Sequence, residues 1–125
     1  VSGKILVVDD QRDVGEVLKR YLEGKGYQAT TLETAEEALA LAAKESFDAL
    51  IIDNVLPGMS GMAALEKLKP LVPVIVLMTG HYDEDVRKDA LLLGAAEVLP
   101  KPFDLPVLEK FLQDNVSGRG GAGPS

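Results

Sequence analysis

Asp9, Asp10, Asp53, Thr79 and Lys101 each follow an apolar run, and together they are the side chains that a metal-dependent phosphoryl site needs. Ile5 to Val8 runs into Asp9-Asp10, Ala49 to Ile52 into Asp53, Val74 to Met78 into Thr79-Gly80, and Val98-Leu99 into Pro100-Lys101-Pro102. If these runs are parallel strands of one open sheet, their carboxyl ends share the edge where ligand crevices form. Three anions that close raise one another's pKa unless a cation sits among them. The pattern therefore asks for a metal. A hard cation such as Mg²⁺ takes oxygen ligands, keeps several waters and is held by one or two carboxylates. Asp9 and Asp10 diverge from one strand end, so one can ligate directly and the other through water. Asp53, alone on its strand, is the natural nucleophile toward a phosphoryl group. The Thr79 hydroxyl and the Lys101 ammonium can bind the phosphoryl oxygens that the metal leaves uncovered. The Lys101-Pro102 bond adds a cis option that would aim the lysine back into the crevice. Taken singly, each has a plainer reading: Asp10 as a helix cap, Thr79-Gly80 as a turn, Lys101 as a solvated charge.

Helical segments must bring these ends together. Val14, Val17, Leu18, Tyr21 and Leu22 fall at helical spacing after Asp10, and Gly24 and Gly26 supply a stop. Gln28 to Leu32 reads as a weak strand, and Thr34 with Glu37 is a capping-box pattern that opens a second helix, ending near Lys44. Pro57-Gly58-Met59-Ser60-Gly61 is a turn; Met62, Leu65 and Leu68 mark a third helix, stopped near Pro70 and Pro73. A fourth spans roughly Asp83 to Leu93 before Gly94, and Asp104 caps a fifth with Leu105, Leu108 and Phe111 facing inward. Five βα units with continuous apolar central strands predict a parallel sheet covered on both faces, an α/β three-layer doubly wound domain. It occupies residues 1–116, and the Gly- and Ser-rich stretch 117–125 reads as a flexible linker or an appended tail.

Composition narrows the function classes. With 125 residues, 46% hydrophobic and 26% charged, the chain suits one folded domain with a core. No apolar run approaches the ~18 residues of a membrane-spanning helix, no signal peptide is visible, and a membrane role is not expected. Cysteine is absent, which removes disulfides and thiolate metal sites and makes the cytoplasm the default compartment. A net charge of −7 argues against direct nucleic-acid binding by this segment.

Val7-Val8-Asp9-Asp10, Asp53 with Leu56-Pro57-Gly58-Met59-Ser60-Gly61, Met78-Thr79-Gly80, Gly94-Ala95 and Lys101-Pro102-Phe103 occur in the order of a response-regulator receiver domain. From residue 3 to about 116 the chain resembles that family of two-component signalling. The resemblance implies a flavodoxin-like fold with strand order 2-1-3-4-5, Asp53 as phosphoacceptor, and Asp9, Asp10, Asp53 and the Val55 backbone carbonyl as Mg²⁺ ligands. It also implies Thr79 as the switch hydroxyl and Lys101 as the phosphate-binding lysine. The phosphoryl donor would be a sensor histidine kinase or a histidine phosphotransfer protein. The domain would be a signalling switch, catalysing only its own phosphorylation and dephosphorylation and controlling an output domain beyond the C-terminus or a partner. One position departs from the family: the aromatic residue usual three before the lysine is here Val98, whose short branched side chain cannot report the threonine's motion as a swinging ring would. His81, two residues past Thr79, would flank the path of hydrolytic water and, with Val55, tune the phosphoryl lifetime.

Output is less legible. If Val86, Ala90 and Leu93 face the sheet, Leu91 and Leu92 point away from it and mark a contact surface for a partner or a homodimer. The wording around Thr79 and Lys101 is similar to receivers of nitrogen-regulator-type activators. Three alternatives share parts of the pattern. An FMN carrier needs a phosphate-cradling loop where Asp9-Asp10 stand, and a dinucleotide-binding domain needs G-x-G-x-x-G after the first strand. A haloacid-dehalogenase-type aspartyl-phosphate phosphatase expects D-x-D-x-T, which Asp9-Asp10-Gln11 does not supply. A phosphorylation-independent interaction module remains as a reading, supported by Val98.

Overall fold

A computed structural model describes residues 3–102 and 104–117. Phe103, which belongs to the Lys101-Pro102-Phe103 element, and the tail from 118 lie outside the described residues. Five strands alternate with five helices: β1 (Lys4–Val8), α1 (Arg12–Gly24), β2 (Gln28–Leu32), α2 (Ala35–Lys44), β3 (Ala49–Asp53), α3 (Gly61–Leu68), β4 (Val74–Thr79), α4 (Glu84–Leu93), β5 (Glu97–Pro100) and α5 (Leu105–Leu112). The sheet is parallel throughout, in the order β2-β1-β3-β4-β5.

Strand alternation divides the core in two, because successive side chains leave a strand on opposite faces. Leu6, Val8, Leu50, Ile52, Ile75, Leu77 and Val98 pack with α2, α3 and α4 through Ala38, Leu65, Leu68 and Ala90. Ile5, Val7, Ala49, Ile51, Val76, Met78 and Leu99 pack with α1 and α5 through Leu18, Leu22, Leu108 and Leu112. Both faces of the central strands are therefore dry, which is why those strands read as continuous apolar runs.

Local chemistry sets most helix ends. The Thr34 side chain accepts the Glu37 N–H at 3.1 Å while the Glu37 carboxylate accepts the Thr34 N–H at 3.2 Å, completing the expected capping box. Asp83 caps α4 through the Val86 N–H, and Gly94 ends it at a φ of 118°. Two expected caps differ. The residue before α1 is Gln11, not Asp10, and Asp104 precedes α5 without a side-chain bond to it. Val17 shares the spacing of the inward α1 residues yet is 55% exposed, since it falls at the rim of the stripe. After α5 the chain widens into a π turn over Gln113–Ser117, one residue past the expected domain end, and Val116 is buried.

Candidate functional site

The carboxyl ends of β1, β3, β4 and β5 form one edge, and the ladder continues just past them. Asp9 N–H bonds to Leu32 O at 3.0 Å, Asn54 N–H to Met78 O at 2.9 Å, and Lys101 N–H to Thr79 O at 2.8 Å. Those bonds extend the sheet ladder to the residues that follow β1, β3 and β5. The alternation that places Ile5, Val7, Ala49, Ile51 and Leu99 on the α1/α5 face then carries Asp9, Asp53 and Lys101 to the same side.

Each of three strand ends turns in the same way. Asp9 Oδ1 accepts the Gln11 N–H at 2.9 Å, Asp53 Oδ1 accepts the Val55 N–H at 3.1 Å, and Thr79 Oγ1 accepts the His81 N–H at 3.0 Å. These are side-chain turns to the residue two ahead, for which Asp and Thr are suited. The turn occupies Oδ1 of each carboxylate and leaves Oδ2 of Asp9 and of Asp53 for Lys101, whose Nζ lies 3.1 Å from the first and 2.8 Å from the second. The Lys101-Pro102 peptide is cis.

Charge is concentrated and dry here. The side chains of Asp9, Asp53 and Lys101 are 0%, 6% and 19% exposed. Burial pushes the Asp9 carboxyl above its ordinary value and the charge of Asp53 adds to this, while bonds from Gln11 and Lys101 offset only part. Burial pulls the Lys101 ammonium down, but its bonds to Asp53 and Asp9 outweigh it and leave the group above the usual lysine value. One lysine thus faces two carboxylates, with Asp10 exposed beside them.

Asp9, Asp10 and Asp53 each offer an oxygen, the three lying within 4.8 Å of one another. An all-oxygen donor set with one exposed member suits a hard divalent cation that keeps part of its water. Above it opens a crevice of about 350 Å³ lined by Asp10, Gln11, Asp53, Val55, Gly80 and Lys101. Thr79, buried one residue before Gly80, lies behind this wall.

The other expected positions fall elsewhere. Val98 is 2% exposed and packs in the α2/α3/α4 core, paired in register with Leu77. Leu92 is 79% exposed as expected, but Leu91 is half-buried, so the two do not form an open pair of leucines. Gln11 and Asn54 belong to the site without being among the candidate site residues of the sequence. The signal for Gln11 was its place two after Asp9, where a side-chain turn takes the N–H; Asn54 carried no such signal.

Residues 5–113 match the family model of the response regulator receiver domain. The chain belongs to that family. This receiver is 43% identical over 106 residues to the DNA-binding transcriptional regulator NtrC of Salmonella typhimurium, a match covering 82% of the chain and 22% of NtrC. It is 36% identical over 105 residues to the regulatory protein VanR of Enterococcus faecium, covering 82% of the chain and 45% of VanR. The receiver thus spans less than half the length of either relative. Among solved structures, a CheY-like response regulator receiver domain protein from Methanospirillum hungatei superposes with a TM-score of 0.88 at 28% identity, over 98% of this chain and 99% of that one. A response regulator protein from Burkholderia pseudomallei, solved with a phosphorylated aspartic acid, a calcium ion and citrate, gives 0.83 at 30% identity, over 97% of this chain and 72% of that one. The receiver-like order of motifs and the nitrogen-regulator wording agree with these relatives. Among the described residues no helix is long and apolar enough to cross a membrane.

Proposed function

We propose that Asp53 takes a phosphoryl group from a phosphohistidine on a sensor histidine kinase or phosphotransfer protein, in a Mg²⁺-dependent reaction that the receiver itself promotes. The observation that carries this reading is the cluster of three carboxylate oxygens within 4.8 Å, with Lys101 Nζ 2.8 Å from Asp53. Asp9, Asp10, Asp53 and the Val55 carbonyl would hold Mg²⁺. When bound, the metal supplies positive charge for the phosphoryl oxygens and relieves the repulsion among the carboxylates.

An Asp53 carboxylate oxygen forms the new bond to phosphorus as the P–N bond to the donor imidazole breaks, its electron pair returning to the ring nitrogen. Val55 N–H holds Oδ1, so the carboxylate is oriented before the donor arrives. Lys101 transfers its contacts from carboxylate to phosphoryl oxygens, and Thr79 leaves the His81 N–H to donate to another of them. These movements bias a two-state equilibrium between unphosphorylated and phosphorylated forms. Water later cleaves the acyl phosphate, releasing inorganic phosphate, with Val55 and His81 flanking its approach. The receiver works in the cytoplasm as residues 1–116 of a regulator that controls an output domain or partner, with 117–125 as linker. Leu92 and the rest of the α4 surface would serve a partner or a homodimer.

Acetyl phosphate tests this. Intact mass should rise by one phosphoryl group with Mg²⁺ and remain unchanged in EDTA or in Asp53→Asn. A rise in Asp53→Asn equal to that of the unaltered chain would defeat the assignment. The core position of Val98 favours a second reading, an interaction module that works without phosphorylation; absence of any adduct would select it.

A further inference from the structure

Three turns of one design meet at the site, and they differ in their middle residue. Between Asp9 and Gln11 stands exposed Asp10; between Thr79 and His81 stands Gly80, which has no side chain; between Asp53 and Val55 stands half-buried Asn54. Asn54 alone is tied to two neighbouring elements. Its N–H bonds to Met78 O in β4 at 2.9 Å, its carbonyl accepts the Gly61 N–H at 3.0 Å, and its Oδ1 accepts the Met62 N–H at 2.9 Å. The last two bonds satisfy donors in the first turn of α3, a helix of only eight residues. They also close the loop 55–60 at its base.

We propose that Asn54 is a positioning residue for phosphoryl transfer: by anchoring its side chain to the Met62 N–H it holds Val55 against Asp53 Oδ1 and so fixes which carboxylate oxygen faces the crevice. The proposal rests on Asp53 being the phosphoacceptor. Val55 is 71% exposed, so the loop's grip on Asp53 comes chiefly from its neighbours. Glu36 in α2 holds the far side of the loop by accepting the Met59 N–H at 3.3 Å. That tether is four residues past Val55, and Leu56 beside Val55 is buried in the core; of these contacts the Asn54 bond to Met62 is the side-chain contact made from within the Asp53-Val55 turn. Gly61 brings α3 against the same turn, because a Cβ there would collide with the Asp53 carbonyl. The Asn54 side chain adds an attractive contact at that approach to the backbone bond.

The test compares the unaltered chain with Asn54→Leu, which keeps size and removes the acceptor, and Asn54→Asp, which keeps an acceptor at the helix start. Amide NMR in EDTA reads the Met62 and Val55 N–H signals; acetyl phosphate with varied Mg²⁺ reads the rate of labelling. In Asn54→Leu both amide signals should move and labelling should slow by roughly tenfold at saturating Mg²⁺, small displacements of reacting groups being costly. Asn54→Asp should restore both signals and the rate. A Leu variant that shifts Met62 alone, melts earlier and labels normally would make Asn54 a plain helix cap and overturn the proposal. If the unaltered chain takes no phosphoryl group, the function proposed above fails, and an unmoved Val55 signal in Asn54→Leu would separately refute the positioning role.

Discussion

At the carboxyl edge of the sheet Asp9 and Asp53 lie buried side by side and share one ammonium, whereas at the amino edge the charged side chains of Lys4, Glu45 and Asp48 are exposed. There Asp48 is exposed, accepts the Lys4 N–H at 2.8 Å and donates its own N–H to Lys4 O at 2.8 Å. Lys4 in turn reaches Glu45 at 3.1 Å and the Phe47 ring at 5.0 Å. The same five strands supply both edges, so the difference cannot come from the fold. It comes from which side chains follow the strands, and it teaches that uncompensated charge is concentrated where phosphoryl chemistry would use it.

Glycine offers the largest contrast. At the carboxyl edge a Cβ on Gly61 would meet the Asp53 backbone, which cannot yield, and Gly61→Ala should cost about 3 kcal/mol or more in urea denaturation. At the amino edge a Cβ on Gly3 would lie 2.8 Å from the buried Val116 side chain and 3.1 Å from Asp48 Oδ2, side-chain atoms rather than backbone, and Gly3→Ala should cost less, about 1 kcal/mol. Equal losses would erase the contrast in rigidity.

Lys101→Ala comes next. Removing one partner from a mostly buried ion cluster leaves charge uncompensated, and we expect a loss of about 2 kcal/mol in EDTA. Millimolar Mg²⁺ should recover more of it than it adds to the unaltered chain, as denaturation with and without metal would show. An equal response to metal would mean that lysine and metal do not answer the same charge.

Asp9→Asn should act in the opposite direction and raise the melting temperature in EDTA. The folded Asp9 carboxyl titrates above the ordinary aspartate value of 3.8, so just above that pH the folded state binds more protons than the unfolded one. Stability from this group is therefore lost as pH rises through that window, and Asn removes that part of the slope. The smallest effect belongs to the amino edge. Asp48→Ala should cost about 1 kcal/mol, one hydrogen bond, with labelling by acetyl phosphate unchanged.

Much of this contrast was legible in the chain. The apolar runs located the strands to within a residue, and the polar residue after each run located the edge. The Thr34-Glu37 pair marked a helix start because both halves of that cap are local. What escaped depended on contacts between distant elements. Asn54 looks like a turn residue until α3 returns to it, and the half-burial of Leu91 follows from where α4 sits rather than from its spacing. Val17 satisfies the α1 period but falls at the rim of the stripe, a matter of packing angle. Asp10 was a reasonable cap by type, yet the turn from Asp9 to Gln11 places the helix start one residue later.

Lys101 reaches Asp9 across 92 residues and Asp53 across 48, and this separation bears on how the chain assembles. Any folding route that pairs β1 with β3 before β5 docks must bring two carboxylates together without their lysine. Such an intermediate resists closure until the last strand arrives, and it draws that strand in once formed. The repulsion between Asp9 and Asp53 thus gives the final βα unit, which carries Lys101, an electrostatic reason to finish the sheet.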